Sequence, residues 1–202
     1  MMEDWLPERK NFMFQILLTE ALTDNDNSCG TCQETGNVIY RCSDCFYTGL
    51  FCHDCCLKDH ARHPFHWISQ WNGQYFKPIT LRDIGYVVYL GHGGIPCPAT
   101  GDHVTTDVVF VDVGCIYIHK VAWCRCSNAH SKAVQLLRMR QYPASLTSPR
   151  TAFTFRVLDD FYMDSVQCNT TAEAFCRKKQ RLTNVYHPNG IPVSTILLTI
   201  NH

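Results

Sequence analysis

Between Cys29 and His66 the chain reads CGTCQETGNVIYRCSDCFYTGLFCHDCCLKDHARHPFH, and no other stretch limits its folding as strongly. Three C-x2-C pairs, Cys29/Cys32, Cys42/Cys45 and Cys52/Cys55, are followed by His60, His63 and His66. Two intervening residues let the backbone turn back, so both sulfurs of a pair reach one ion at about 2.3 Å with tetrahedral angles. Eight ligands of this kind close two zinc sites. A structural zinc contributes roughly 10–16 kcal/mol of apparent binding energy, against about 5–15 kcal/mol for the net stability of a whole domain. A disulfide across a four-residue loop gains little closure entropy and strains its own geometry. Cys56 and His53 fall off the pattern and read as bystanders. Catalytic zinc keeps a position for water, and sites with four protein ligands have none, so the unit is expected to be a scaffold.

Thirteen cysteines are an odd number, which excludes a complete set of internal disulfides. The start, MMEDWLPERKNF, has no basic segment followed by an apolar one, and no run of eighteen apolar residues occurs. The expectation is a chain outside the membrane and the secretory route, in a reducing compartment where clustered cysteine means metal. With 46% hydrophobic and 18% charged residues it reads as globular and soluble. The net charge is zero, yet residues 120–202 carry eleven Lys/Arg against four Asp/Glu. The densest run, RKKQR, offers Arg177, Lys178, Lys179 and Arg181 as nucleic-acid contacts; a solvated helix face is the plainer reading of the same run.

A second cysteine signal follows. Tyr86 to Leu90 has strand composition, and Asp107–Val113 and Cys115–Trp123 form a hairpin across Gly114. The hairpin runs into Cys124 and Cys126, which face one way in an extended chain and can grip one ion together. Cys97 and His92 complete a third zinc site, with His103 and His130 as alternatives for the fourth ligand. Cys115, Cys168 and Cys176 lack ligand spacing and read as core or surface thiols.

The remainder reads as helical. One helix runs from about His130 to Gln141 and stops before Pro143. Ser148 and Pro149 look like the cap and first turn of the next, with Phe155, Leu158, Tyr162 and Val166 as its core stripe. Asp159 and Asp160, adjacent on that helix, diverge and read as surface acids. Thr170 with Glu173 suggests a capping box for the helix bearing RKKQR. His187–Gly190 is a turn, and the apolar run from Ile191 to Ile200 looks like a strand awaiting a partner or a chain cut short. The segment around Trp5, Phe14, Leu17 and Leu18 is expected to be a helix packed on the zinc unit.

Three C-x2-C pairs followed by histidines resemble ZZ-type and B-box zinc fingers. By that resemblance Cys29, Cys32, Cys52 and Cys55 share one ion, and Cys42 and Cys45 share the other with two histidines. His60 and His66 are the preferred pair, with His63 able to replace either. Taken with WNGQYF, LGHGGIPCP, the CRC pair, RQYPASLTSPRTAFTFRVLDDF and RLTN, the succession from Trp5 to Asn184 resembles the CxC-like (type 2) cysteine cluster region that precedes KDZ-type transposases, found mainly in fungi. The resemblance implies a nuclear, zinc-binding region on the N-terminal side of a DNA transposase, with DNA or chromatin as partner. The RNase H-like catalytic domain of such enzymes needs carboxylates around two metal ions, which the tail does not resemble, so the chain is expected not to be an enzyme.

The expected fold is a small, zinc-stabilised α+β architecture: a helical segment over 1–28, a cross-braced ZZ/B-box-like double zinc finger over 29–75, a β-hairpin module with a C-x-C zinc site over 76–128, and a helical part over 129–202. Two zinc ions, and a third at the C-x-C, are its cofactors; neither a membrane nor a small-molecule substrate is expected. The alternative to DNA targeting is recognition of a peptide or histone tail, with Phe46, Tyr47, Phe51 and Trp67 lining a groove. A ubiquitin-ligase reading is disfavoured, because the last ligand pair of that class is C-x2-C and here it is histidine.

Overall fold

The computed structural model describes residues 2–22, 28–36, 39–46, 49–99 and 105–184. The turn at His187–Gly190, the run Ile191–Ile200, His103 and Tyr47 lie outside the described residues. The chain divides into two compact units, Met1–Gly85 and Tyr86–His202.

The first unit opens with helix α1 (Met2–Leu18). Its apolar side chains are not packed: Trp5, Leu6, Phe14, Ile16 and Leu17 are each more than half exposed, which corrects the expectation of a helix buried against the zinc ligands. The chain just beyond it is held instead, by Arg41, which donates to the Thr19 carbonyl and pairs with Glu20 at 2.9 Å. Strand β1 (Tyr40–Cys42), helix α2 (His53–Asp59), a 3-10 turn (His60–Arg62) and strands β2 (Ile68–Trp71) and β3 (Phe76–Ile79) follow. The three strands form one antiparallel sheet in the order β1-β2-β3.

The β2–β3 hairpin was not read from the sequence, although Asn72-Gly73 between two apolar runs is a strong short-range hairpin signal. Gly73 takes φ +98° and the Asn72 carboxamide oxygen accepts from Gln74 N and Tyr75 N, each at 2.9 Å. A boundary at 75/76 would cut this hairpin, since Trp71 pairs with Phe76; β3 therefore belongs to the first unit.

The second unit is built on a five-stranded mixed sheet in the order β4-β6-β5-β8-β7. It contains β4 (Val87–Tyr89), β5 (Thr105–Val111), β6 (Ile116–Ala122), β7 (Gln141–Pro143) and β8 (Thr151–Thr154), with helices α3 (Lys132–Arg138), α4 (Phe155–Cys168) and α5 (Ala172–Thr183). The β5–β6 hairpin turns at Gly114, where Asp112 N donates to the Cys115 carbonyl at 2.9 Å.

Among the described residues the part expected to be helical, 129–184, is not separate, because β8 pairs in parallel with β5 and draws it into the sheet. β8 occupies what reads in sequence as the first turn of a helix opened by Ser148-Pro149. All four of its residues are buried, and a buried Ala-Phe flanked by threonines satisfies its backbone in the ladder better than in a helix end. α4 therefore starts at Phe155, with the Thr154 hydroxyl accepting from Val157 N. Its core face differs from the expected stripe. Val157 is buried, and Leu158 and Phe161 pack on a cluster with Val111, Ile116, Phe153 and Phe175, while Tyr162 and Val166 are exposed. α5 is capped by Thr171 rather than Thr170, through Ala174 N.

Candidate metal centres

Three groups of four Cys and His side chains have their ligand atoms within 4.8 Å of one another. They are Cys29, Cys32, Cys52 and Cys55; Cys42, Cys45, His60 and His66; and His92, Cys97, Cys124 and Cys126. In the first unit the groups interleave along the chain: the pair at 42/45 lies between the two pairs of the other group.

In the first group, the knuckle at Cys29 is closed by Gln33 N donating to the Cys29 carbonyl at 2.8 Å, with Gln33 at φ +63°. Cys52 precedes α2 and Cys55 lies in its first turn, so one helix start delivers both sulfurs. Thr31 Oγ1 donates to Asp59 at 2.8 Å and ties the knuckle to the far end of the same helix.

The second group forms where β1 ends. Cys45 N donates to Cys42 Sγ at 3.3 Å, and Asp44 accepts from Trp67 N, which brings the chain after His66 back onto the knuckle. His60 Nε2 lies 3.5 Å from Cys45 Sγ, while its Nδ1 donates to the Cys56 carbonyl at 2.8 Å. That bond keeps a proton on Nδ1, so Nε2 is the nitrogen left to give its lone pair to a metal, a common support for a metal-bound imidazole. Cys56 thus positions His60 and is no bystander. His66 presents Nδ1, at 3.3 Å from Cys45 Sγ and 3.5 Å from Cys42 Sγ. His63 is exposed and stacks on His66 with ring centroids 4.8 Å apart, outside the group.

The third group joins the loop after β4 to the segment after β6. Leu90 N donates to the Ala122 carbonyl at 3.0 Å and holds the two together. Gly91 follows at φ +98°, where a Cβ would stand 2.5 Å from Cys124 Cβ, so only glycine permits the approach. His92 Nε2 lies 3.2 Å from Cys124 Sγ and 3.5 Å from Cys126 Sγ. Of the alternatives to His92, His130 is exposed and outside the group. Sequence reasoning missed Gln135, a buried residue of α3. Its Nε2 donates to the carbonyls of Cys124 and His130, at 3.0 and 2.8 Å, and its Oε1 accepts from Cys124 N at 2.9 Å.

The spacings fit a tetrahedral thiophilic ion. With metal–sulfur near 2.3 Å and metal–nitrogen near 2.0–2.1 Å, tetrahedral edges are about 3.8 Å for S···S and about 3.6 Å for S···N. The structure has S···S edges of 3.9 Å (Cys32–Cys52), 4.0 Å (Cys97–Cys124) and 3.7 Å (Cys97–Cys126). Its S···N edges run from 3.2 to 3.5 Å. These cysteines are free thiols, far beyond disulfide contact.

The protonation chemistry points the same way. Burial opposes ionisation of Cys29, but backbone N–H groups of Cys32, Cys52 and Thr31 outweigh it and hold the thiol down at about 6. The Cys52 sulfur, then burial, then the Cys32 and Cys29 sulfurs push Cys55 far up. Cys126 is pushed up to about 11 by Cys97, Cys124 and burial. At His60 burial favours the neutral ring, but Cys42 and Cys56 outweigh it and hold the imidazole up at about 11. His66 is lowered by burial. In such a cluster each thiolate makes the next harder to form; a dication removes the obstruction.

The four basic residues of RKKQR do not act alike. Arg177 pairs with Glu173 at 2.5 Å and Lys178 with Asp164 at 2.7 Å. Lys179 is buried, donating to Asp160 at 2.7 Å and to the Val113 carbonyl. It is therefore a core residue rather than a nucleic-acid contact, and Asp160 is its counter-charge rather than a surface acid. Arg181 is exposed. Among the aromatic groove candidates, Phe51 is buried and Phe46 fully exposed.

No helix among the described residues is long and apolar enough to cross a membrane. No curated protein and no solved structure matches the chain. The family model described as "CxC2 like cysteine cluster associated with KDZ transposases" matches residues 81–187, which is the third metal group together with the sheet and helices that support it. The first two groups lie before the matched residues. Since the matched region covers more than half of the chain, the protein belongs to the CxC2-like cysteine clusters associated with KDZ transposases.

Proposed function

We propose that this protein is a targeting region of a KDZ-type transposase: a zinc-braced pair of units that contacts DNA or chromatin in the nucleus and performs no chemistry of its own. Four protein ligand atoms in every group are the observation that carries this reading. A metal with four protein ligands has no position for a substrate water, so the ions serve the fold. In this reading the three groups are the ligand sets of three zinc ions, and the interleaving in the first unit is a ZZ/B-box-like cross-brace. The DNA contact rests on the family association and on the basic excess of residues 120–202.

The test has two parts. Native mass spectrometry of the full chain, with and without chelator, is expected to return three zinc ions per chain. Gel-shift titration with labelled duplex DNA is expected to show binding that weakens steeply as salt rises; absence of binding at low salt would refute the DNA contact.

A second reading is motivated by Phe46, a fully exposed aromatic on the knuckle between Cys45 and the rest of the finger. Exposed aromatics anchor peptide partners, so the first unit would then read a peptide or histone tail. Binding on a histone-peptide array that is lost in Phe46→Ala would favour this reading over DNA.

A further inference from the structure

The basic excess that supports DNA contact is not spread over the second unit. α5, its densest run, spends three of its four basic charges internally, Arg177 on Glu173, Lys178 on Asp164 and Lys179 on Asp160, and leaves Arg181 exposed. By contrast, no Asp or Glu occurs from Val113 to Leu158, a stretch with Lys120, Arg125, Lys132, Arg138, Arg140, Arg150 and Arg156. Arg125, Arg138 and Arg140 are all exposed. The charges therefore separate, with acids and their basic partners on α4 and α5, and exposed arginines on the C-x-C segment, on α3 and just after it, in a stretch of sequence without acids.

One of those arginines, Arg138, lines a concavity, and Arg125 and Arg140 are each next in sequence to a residue that lines it. A cavity of about 360 Å³ opens beside the third metal group, lined by His92, Cys124, Cys126, Asn128, His130 and Arg138. Arg125 stands between two of its lining cysteines, and Arg140 lies two residues past Arg138 at φ +58°, where the chain turns out of α3. Three thiolates and one neutral imidazole around a dication leave the metal group with one negative charge. Arg125, Lys132, Arg138 and Arg140 outnumber it. Guanidinium forks, the Asn128 amide and the His130 ring are the donors that phosphate oxygens take.

We infer that the DNA-contacting surface of this protein is the exposed face around the third metal group, with Arg138 in the cavity and the exposed Arg125 and Arg140, each next in sequence to a residue that lines it, binding backbone phosphates, and that α5 takes no part. This rests on the DNA reading above and deepens it. It also gives the C-x-C loop a second role: the metal that holds Cys124 and Cys126 holds Arg125 between them in place. The contacts are to phosphate, so they predict affinity without sequence preference from this surface.

The experiment measures affinity of the full, zinc-loaded chain for a labelled random-sequence duplex between about 50 and 200 mM salt. Arg125→Gln, Arg138→Gln and Arg140→Gln combined are expected to abolish most binding and to lower the salt slope by about 0.9 for each phosphate contact removed. The triple Arg→Lys variant is expected to keep the slope, because charge is retained. Arg177→Gln with Lys178→Gln is expected to leave it unchanged. Native mass spectra with three zinc ions for each variant establish that the site still folds, and a Gln variant that loses zinc is replaced by the single variant Arg138→Gln. A slope that drops with the α5 pair and not with the α3 set overturns the inference while DNA binding stands. A parent protein that binds no duplex at the lowest salt overturns both, as does retention on a histone peptide alone.

Discussion

Gln135 on α3 and Cys124 beyond β6 are joined in both directions: the Gln135 amide donates to the Cys124 carbonyl at 3.0 Å and its oxygen accepts from Cys124 N at 2.9 Å. A side chain here replaces the strand partner that Cys124 loses on leaving β6, and so aims the first sulfur of the C-x-C. Gln135→Ala leaves both Cys124 backbone groups unpaired. Loss of a supporting partner of this kind typically costs about 10–100-fold in metal affinity. The expected outcome is a third zinc weakened by that factor, with the two ions of the first unit retained, as read by competition with a chromogenic chelator.

Gly91 is the second support of the same centre. At φ +98° with Cys124 Cβ 2.5 Å from where its own Cβ would stand, Gly91→Ala must shift backbone against backbone-linked sulfur. Strain of this kind costs on the order of 1–3 kcal/mol, here on top of the displaced ligand. A lowered unfolding midpoint of the second unit and a zinc count of two in the native mass spectrum are expected.

His66 and His63 stack on one another, yet only His66 brings a ring nitrogen into the second metal group. His66→Ala is expected to lose one zinc, whereas His63→Ala is expected to keep all three. The measurement is zinc stoichiometry after gel filtration in the presence of a mild chelator.

Zinc uptake should depend on pH with a definite sign. In the metal-free chain at pH 7, Cys126 and the His60 imidazole, both held up at about 11, carry their protons, whereas Cys29, held down at about 6, has lost its own. Zinc binding must displace the protons of the first two, so the bound form gains as pH rises and loses as it falls. Each proton displaced changes affinity about tenfold per pH unit. Proton release on adding zinc to weakly buffered, chelator-treated protein would check this, and an affinity flat from pH 6 to 8 would contradict it.

The Lys179–Asp160 pair makes a prediction about stability. Asp160→Asn removes the counter-charge of a buried ammonium, and removal of one charged member of a buried pair costs roughly 3 kcal/mol. Lys179→Met, which keeps the stem and removes the charge, should cost clearly less. Urea unfolding of the two variants measures the difference.

Ligand chemistry was the most legible part of this chain, because C-x2-C and C-x-C are local: spacing alone puts two sulfurs on one side of a knuckle or an extended segment. The hairpin at Gly114 and the Asn72-Gly73 turn are local for the same reason, though the second went unread. The sequence could not say that the residues after Ser148 form a strand. Whether Thr151–Thr154 is helix or β8 depends on the open edge of β5, formed some forty residues earlier. Nor could it separate His66 from His63, or the buried Lys179 from the paired Lys178 beside it. Those choices turn on which carbonyl, carboxylate or ring the rest of the chain delivers to within about 3 Å, a distance that no spacing in the sequence encodes.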